Sequence, residues 1–245
     1  MIPDISLTPE QLEQWRRDGF VRLGRVLDDE GLAACRADEG ALRAAVGSNE
    51  RNASTHFWCL VMRQCPGVRR LATSGPQIGA AADILGQDVV LWWNQFVTKM
   101  PDGDAVRGEF TWHQDNGYVD VSPGSNLTVW VALDDVDTVN GCVWVQPGSH
   151  AQGLLPHNRP REDSWHLQVP VAGDGVPALL RAGEAVMFSG YTLHRSLANR
   201  SAAPRRAFFM QYAHADALLP AKNLAAVDHP DAWVVRGGSS RMRPA

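Results

Sequence analysis

The sequence predicts a mainly β protein with flanking helices, folded as an antiparallel barrel or jelly roll. From Val89 onward the chain falls into short apolar runs punctuated by Gly, Pro, Asn and Asp turns. No helical pattern alternates with those runs, as a parallel α/β sheet would require. The length of 245 residues, with 44% apolar and 20% charged side chains, suits one β-rich domain with a sizeable core and lacks the signature of disorder. We read a mostly helical front over 1–88, a jelly-roll core over 89–215 and a polar tail over 216–245 whose one anchor is Trp233-Val234-Val235.

The elements follow in order. Thr8-Pro9-Glu10-Gln11 is a helix start, with Thr8 as N-cap, Pro9 where a missing N–H costs nothing and Gln11 reaching back, and the helix over 9–18 ends at Gly19. Phe20 to Leu27 alternates as a short strand. Asp28 or Asp29 then caps a helix whose stripe is Leu32, Cys35, Leu42 and Val46. An alanine-rich helix over 76–85 stops at Gly86. Strands are expected over 89–98, 108–115, 126–133, 142–146, 185–189 and 206–212, with Asn140-Gly141 and Pro147-Gly148 as turns.

Composition excludes several functions. Twenty-three basic against 27 acidic residues give a net charge of −4, no field for a phosphate backbone, so nucleic acid is not a partner. No apolar run reaches membrane-spanning length and Met1 to Leu7 lacks a signal-peptide pattern, so no membrane partner is expected and the cytoplasm is the expected compartment. Cys35, Cys59, Cys65 and Cys142 match neither zinc knuckles nor a disulfide framework and read as reduced thiols.

The strongest chemical signal is His113-Gln114-Asp115. On a strand, residues two apart share a face, so the imidazole and the carboxylate converge on one point. His194, just after a later apolar strand, supplies a third ligand. Two histidines and a carboxylate form the facial triad that holds non-haem Fe(II) with open positions. Taken alone the spacing is common, and a His–Asp pair in a surface turn reads the same way.

The surrounding residues change this. The "DGFVRL" opening at 18–23, His113-Gln114-Asp115, Val129 to Asp135, Asn140-Gly141-Cys142 with Pro147 to His150, and the stretch His194 to Tyr212 occur in an order and spacing that resemble the phytanoyl-CoA dioxygenase family of Fe(II)- and 2-oxoglutarate-dependent oxygenases. The resemblance covers most of the chain. It implies a double-stranded β-helix, a cupin-like jelly roll, with Fe(II), 2-oxoglutarate as cosubstrate and O2. It implies that His113, Asp115 and His194 are the catalytic iron ligands. Arg205, eleven residues after His194, is implied as the partner of the far carboxylate of 2-oxoglutarate, a pairing that suits a guanidinium fork. Adjacent Arg206 must point the other way. Ser196 and Thr128 resemble the family's hydroxyl donors to the cosubstrate, and Thr111 shares the inward face of His113.

Asp115 itself favours hydroxylation over chlorination, since related halogenases replace this carboxylate with a small residue. The substrate is expected to be a small organic molecule, at a mouth lined by Trp92, Gln95, Asn116 and Tyr118, with at most one of Trp92 and Trp93 facing in, and the setting to be bacterial specialised metabolism. His150 reads as a structural residue of its turn, and the segment 151–175 as a loop over the mouth. Two other readings stand beside this one: a cupin-like metal enzyme that does not use 2-oxoglutarate, and a non-catalytic metal- or ligand-binding module.

Overall fold

The computed structural model describes residues 2–47, 54–105, 107–122, 126–160, 162, 166–171, 173–219 and 222–237. Helix α1 (Pro9–Asp18) begins with a complete capping box: the Thr8 hydroxyl accepts the Gln11 N–H while the Gln11 side chain accepts the Thr8 N–H. It ends at Gly19, whose φ of 77° favours glycine, and a Cβ there would also lie 2.3 Å from Nδ1 of His150. Strand β1 (Phe20–Arg25) leads into α2 (Asp29–Val46), whose N-cap Asp28 accepts the Gly31 N–H. Two elements of this region lie outside the sequence expectation, β2 (Thr55–Cys59) and α3 (Pro66–Ser74); α4 (Gln77–Leu85) follows.

The remaining strands are β3 (Val89–Lys99), β4 (Phe110–His113), β5 (Leu127–Ala132), β6 (Val143–Val145), β7 (Val176–Pro177), β8 (Glu184–Ser189), β9 (His194–Ser196), β10 (Arg205–His214), β11 (Leu218–Leu219), β12 (Leu224–Ala225) and β13 (Trp233–Arg236). They form two main sheets. The larger runs β1-β8-β5-β10-β3-β13, with β2 also paired to β3, and the smaller runs β4-β9-β6-β7. Every pairing is antiparallel. The chain is therefore the mainly β jelly roll with flanking helices that the sequence predicts, as two facing sheets rather than a closed barrel.

Alternation along the central strands sorts the core into layers. Phe96, Phe208, Met210, Tyr212, Val129 and Val131 face the helices and join Leu32, Val68, Leu71 and Ile78 in one cluster. Val97, Trp130, Phe188 and Phe209 face the other way and meet Val143 and Val145 of the smaller sheet. Residues after 215 do not trail away: Ala217, Leu219, Ala226 and Val227 pack on Val90 and Trp92. The four cysteines are unbonded. Among the described residues no helix is long and apolar enough to cross a membrane.

Candidate active site

Strands β4 and β9 pair so that His113 lies directly opposite His194. Their rings are 4.1 Å apart between centroids. Strand β4 ends at His113; extended Gln114 intervenes, and Asp115 opens a short 3-10 turn over Asp115–Gly117. That extended residue keeps Asp115 on the side of His113, although Asp115 itself has left the strand. Asp115 Oδ1 is 3.5 Å from His194 Nε2 and 4.0 Å from His113 Nε2. One ligand atom from each of the three side chains lies within 4.8 Å of the others, and no other such group of three occurs among the described residues.

The ring orientations are set by the backbone. His113 Nδ1 donates to Thr111 O at 2.7 Å and His194 Nδ1 to Thr192 O at 3.0 Å, which places the proton on Nδ1 and the lone pair on Nε2, toward Asp115. Burial, reinforced by neighbouring His194, holds His113 well below the ordinary imidazole range. Asp115 is fixed in turn, because the Thr128 hydroxyl donates to its Oδ2 at 2.5 Å. Gln114 clamps the approach to the site: its amide donates to Gly153 O and Tyr191 O and accepts the Leu155 N–H, while its own N–H donates to His157 Nε2.

Arg205 and Arg206 take opposite faces of β10. Arg206 bonds Asp134 through its guanidinium and backbone N–H. Arg205 points between the sheets, fully buried, its Cζ 5.2 Å from the Trp130 ring. Its one hydrogen bond is a long contact of 3.4 Å to Val97 O; its Nε has no partner, and no carboxylate pairs with it among the described residues. Burial lowers its pKa to about 10. Directly across from it in the β3–β10 register is Lys99, equally buried, whose three protons meet Gly108 O, Ser196 O and Leu197 O. Sequence reading missed Lys99; its signal was that it is one of two lysines among 23 basic residues and ends an apolar strand.

A cavity of about 600 Å³ opens onto the triad, lined by Trp92, Trp93, Gln95, Tyr118, Trp130 and Ser196 among others. Gln95, Trp92 and Tyr118, expected at the substrate mouth, and Ser196, expected at the cosubstrate, all line this cavity. Four expectations need correction. Both Trp92 and Trp93 face the cavity, because β3 carries a bulge opposite Gln211 and Tyr212 that breaks the alternation. A second irregularity between Phe110 and His113 turns Thr111 out to solvent and brings Phe110 to 4.6 Å from the His113 ring. Asn116 is buried outside the cavity lining, its side-chain oxygen accepting from Asn126. The hydroxyl of Thr128 serves Asp115 rather than facing the cavity. His150 is held at Arg16 O, away from the triad. Part of the loop expected over 151–175, including Arg161, lies outside the described residues.

A buried two-histidine, one-carboxylate cluster between the sheets of a jelly roll defines the class, a non-haem metal oxygenase. The family model of phytanoyl-CoA dioxygenase matches residues 15–207. The methylphosphonate hydroxylase of Gimesia maris is 26% identical over 220 residues, covering 84% of this chain and 81% of that one. A phytanoyl-CoA dioxygenase of Arabidopsis thaliana is 30% identical over 151 residues, 60% of this chain and half of that protein's length. Among solved structures, the epimerase SnoN in complex with Fe3+, alpha ketoglutarate and nogalamycin RO superposes with a TM-score of 0.73 at 27% identity, covering 96% of this chain and 93% of that one. The chain belongs to the phytanoyl-CoA dioxygenase family, and it is an Fe(II)- and 2-oxoglutarate-dependent dioxygenase.

Proposed function

We propose that the chain hydroxylates a small, ring-bearing organic molecule in bacterial specialised metabolism, working in the cytoplasm. In this reading His113, Asp115 and His194 hold Fe(II), and Arg205 takes the far carboxylate of 2-oxoglutarate. The observation that carries it is the pairing of an intact triad with an unneutralised guanidinium. A buried cation without an acid partner is unfavourable unless an anion completes it, and a dicarboxylate chelated at the triad supplies one. The donor set fits the metal equally well: two imidazoles whose Nε2 atoms face Asp115 and one carboxylate, each already oriented by a second hydrogen bond.

Bound there, Fe(II) with 2-oxoglutarate and O2 supplies the oxidation of a substrate C–H bond, with succinate and CO2 as co-products. The protein's own residues do the rest. Arg205, with Lys99 behind it, sets the cosubstrate's orientation, and Ser196 lines the wall between them and His194. Trp92, Trp93 and Trp130 exclude water and offer ring faces to a flat substrate. The specialised-metabolism setting is supported by the likeness to a neighbour solved with nogalamycin RO bound. The test is turnover of a panel of ring-bearing compounds under 18O2 with mass analysis. Hydroxylation gives a product with one labelled oxygen per succinate formed. A product lighter by two hydrogens, or a chlorinated one, refutes it.

A further inference from the structure

The cavity contains one amide whose orientation the protein fixes. Gln95 Oε1 accepts the indole N–H of Trp93 at 3.1 Å and the thiol of Cys59 at 3.4 Å. An indole nitrogen donates only, so it must meet the amide oxygen. The NH2 group of Gln95 is therefore turned away from Trp93 and Cys59; it has no protein partner among the described residues, and Gln95 lines the cavity. The other cavity amide, Gln211, is engaged by Asn126 at 3.4 Å.

Among its described lining residues, the cavity offers a charged substrate few ionic partners. Apart from the triad, the one ionic residue among the described lining residues is Arg195, whose guanidinium lies 4.8 and 5.4 Å from the rings of Trp112 and Trp144 and bonds Asp174. Arg205 sits behind Trp130, where the cosubstrate's carboxylate would occupy it, and Lys99 already donates to three carbonyls. Against these described lining residues a phosphate or carboxylate would lose its water without meeting an uncommitted cation. Among the described lining residues, the Gln95 NH2 is thus a donor whose direction the protein fixes, set in a wall of rings.

We infer that Gln95 is the specificity-determining residue for the substrate: its NH2 group donates to the carbonyl oxygen of an uncharged aromatic ketone held among Trp92, Trp93 and Trp130. This rests on the oxygenase reading above and names the substrate class for that site. The donor is fixed in advance, because turning the amide over would leave two donors of Trp93 and Cys59 facing an NH2. Selectivity arises from both sides: a hydrocarbon leaves the Gln95 donor unpaired, and an anion finds no uncommitted cation among the described lining residues.

The test uses three probes of one size with protein anaerobically loaded with Fe(II) and saturating 2-oxoglutarate: 1-tetralone, tetralin and 1-naphthoate. Binding is read by quenching of tryptophan fluorescence. 1-Tetralone is expected to bind about three- to ten-fold more tightly than tetralin, the worth of one neutral hydrogen bond, and 1-naphthoate at least ten-fold more weakly than 1-tetralone. Gln95→Leu should erase the ketone's advantage and leave tetralin unchanged. Gln95→Glu keeps an acceptor for Trp93 and Cys59 while removing the donor, and should erase it too, with the thermal transition showing that both variants fold. Equal binding of ketone and hydrocarbon, tight binding of naphthoate, no binding of any probe, or an advantage that survives both substitutions overturns the inference. Loading is followed separately by the visible band of the Fe(II)–2-oxoglutarate chelate. Its absence counts against the oxygenase reading, whereas a flat probe series in loaded protein counts against Gln95 alone.

Discussion

Replacing Arg205 by Met separates cosubstrate binding from folding, because the two respond in opposite directions. The buried guanidinium has one long hydrogen bond, a stacked Trp130 ring and no carboxylate partner. Burial brings its pKa down to about 10, a burden on the folded chain of roughly 3 kcal/mol. Met keeps most of the volume and loses the cation–π contact, worth about 1–2 kcal/mol. Protein without metal or cosubstrate is therefore expected to be as stable as the parent, or more stable by about 1–2 kcal/mol. With the far carboxylate of 2-oxoglutarate facing a thioether in place of a guanidinium, roughly 2–5 kcal/mol of binding is lost, about 30-fold or more in Kd. Thermal unfolding with and without Mn(II) and 2-oxoglutarate measures both effects at once. The parent should gain stability from 2-oxoglutarate and the variant should not. A variant that binds 2-oxoglutarate within two-fold of the parent, or that loses several kcal/mol without ligand, refutes the assignment; in the second case Arg205 is a structural residue.

Thr128→Val removes the hydroxyl that fixes Asp115 Oδ2 while keeping the shape, and is expected to weaken Fe(II) binding by about ten-fold, read by calorimetry, with the Kd of 2-oxoglutarate at saturating metal unchanged. A rise in that second Kd instead would restore Thr128 as a cosubstrate contact. Asp134 is a stability probe: burial alone would raise its carboxyl, but the hydrogen bonds and charge of Arg206 outweigh this and hold it below the usual range. Its contribution is therefore present above about pH 4 and lost as pH falls through the depressed folded value. Asp134→Asn should cost about 1–2 kcal/mol at pH 7 and flatten the decline of the urea midpoint between pH 5 and 3.

Much of the fold was legible because local chemistry and packing agree. Thr8, Pro9 and Gly19 mark α1, and the alternation of β5 and β10 survives in the core layer that each residue joins, although both faces are buried. The triad was legible because period-two geometry brings His113 and Asp115 together and the register of β4 and β9 brings in His194. Two bulges were not legible. Each inserts a residue whose only cause is the pairing with a distant strand, so Trp92 gained the cavity and Thr111 lost it. Strand β2 was missed although Thr55, Phe57 and Cys59 alternate toward the cavity, because the run is short and sits beside helical segments. Lys99 was hidden for a different reason: its role comes from three backbone carbonyls, which no side-chain motif announces.

The central claim is that this triad and this arginine together hold Fe(II) and 2-oxoglutarate. Anaerobic titration of metal-free protein with Fe(II) and then 2-oxoglutarate tests it most directly, by following the weak visible charge-transfer band of the chelate. The account predicts that the band grows to one equivalent of each, fails to form in His113→Ala and needs far more 2-oxoglutarate in Arg205→Met. Protein that binds Fe(II) tightly yet never develops the band, or a band unaffected by the loss of His113, would contradict it.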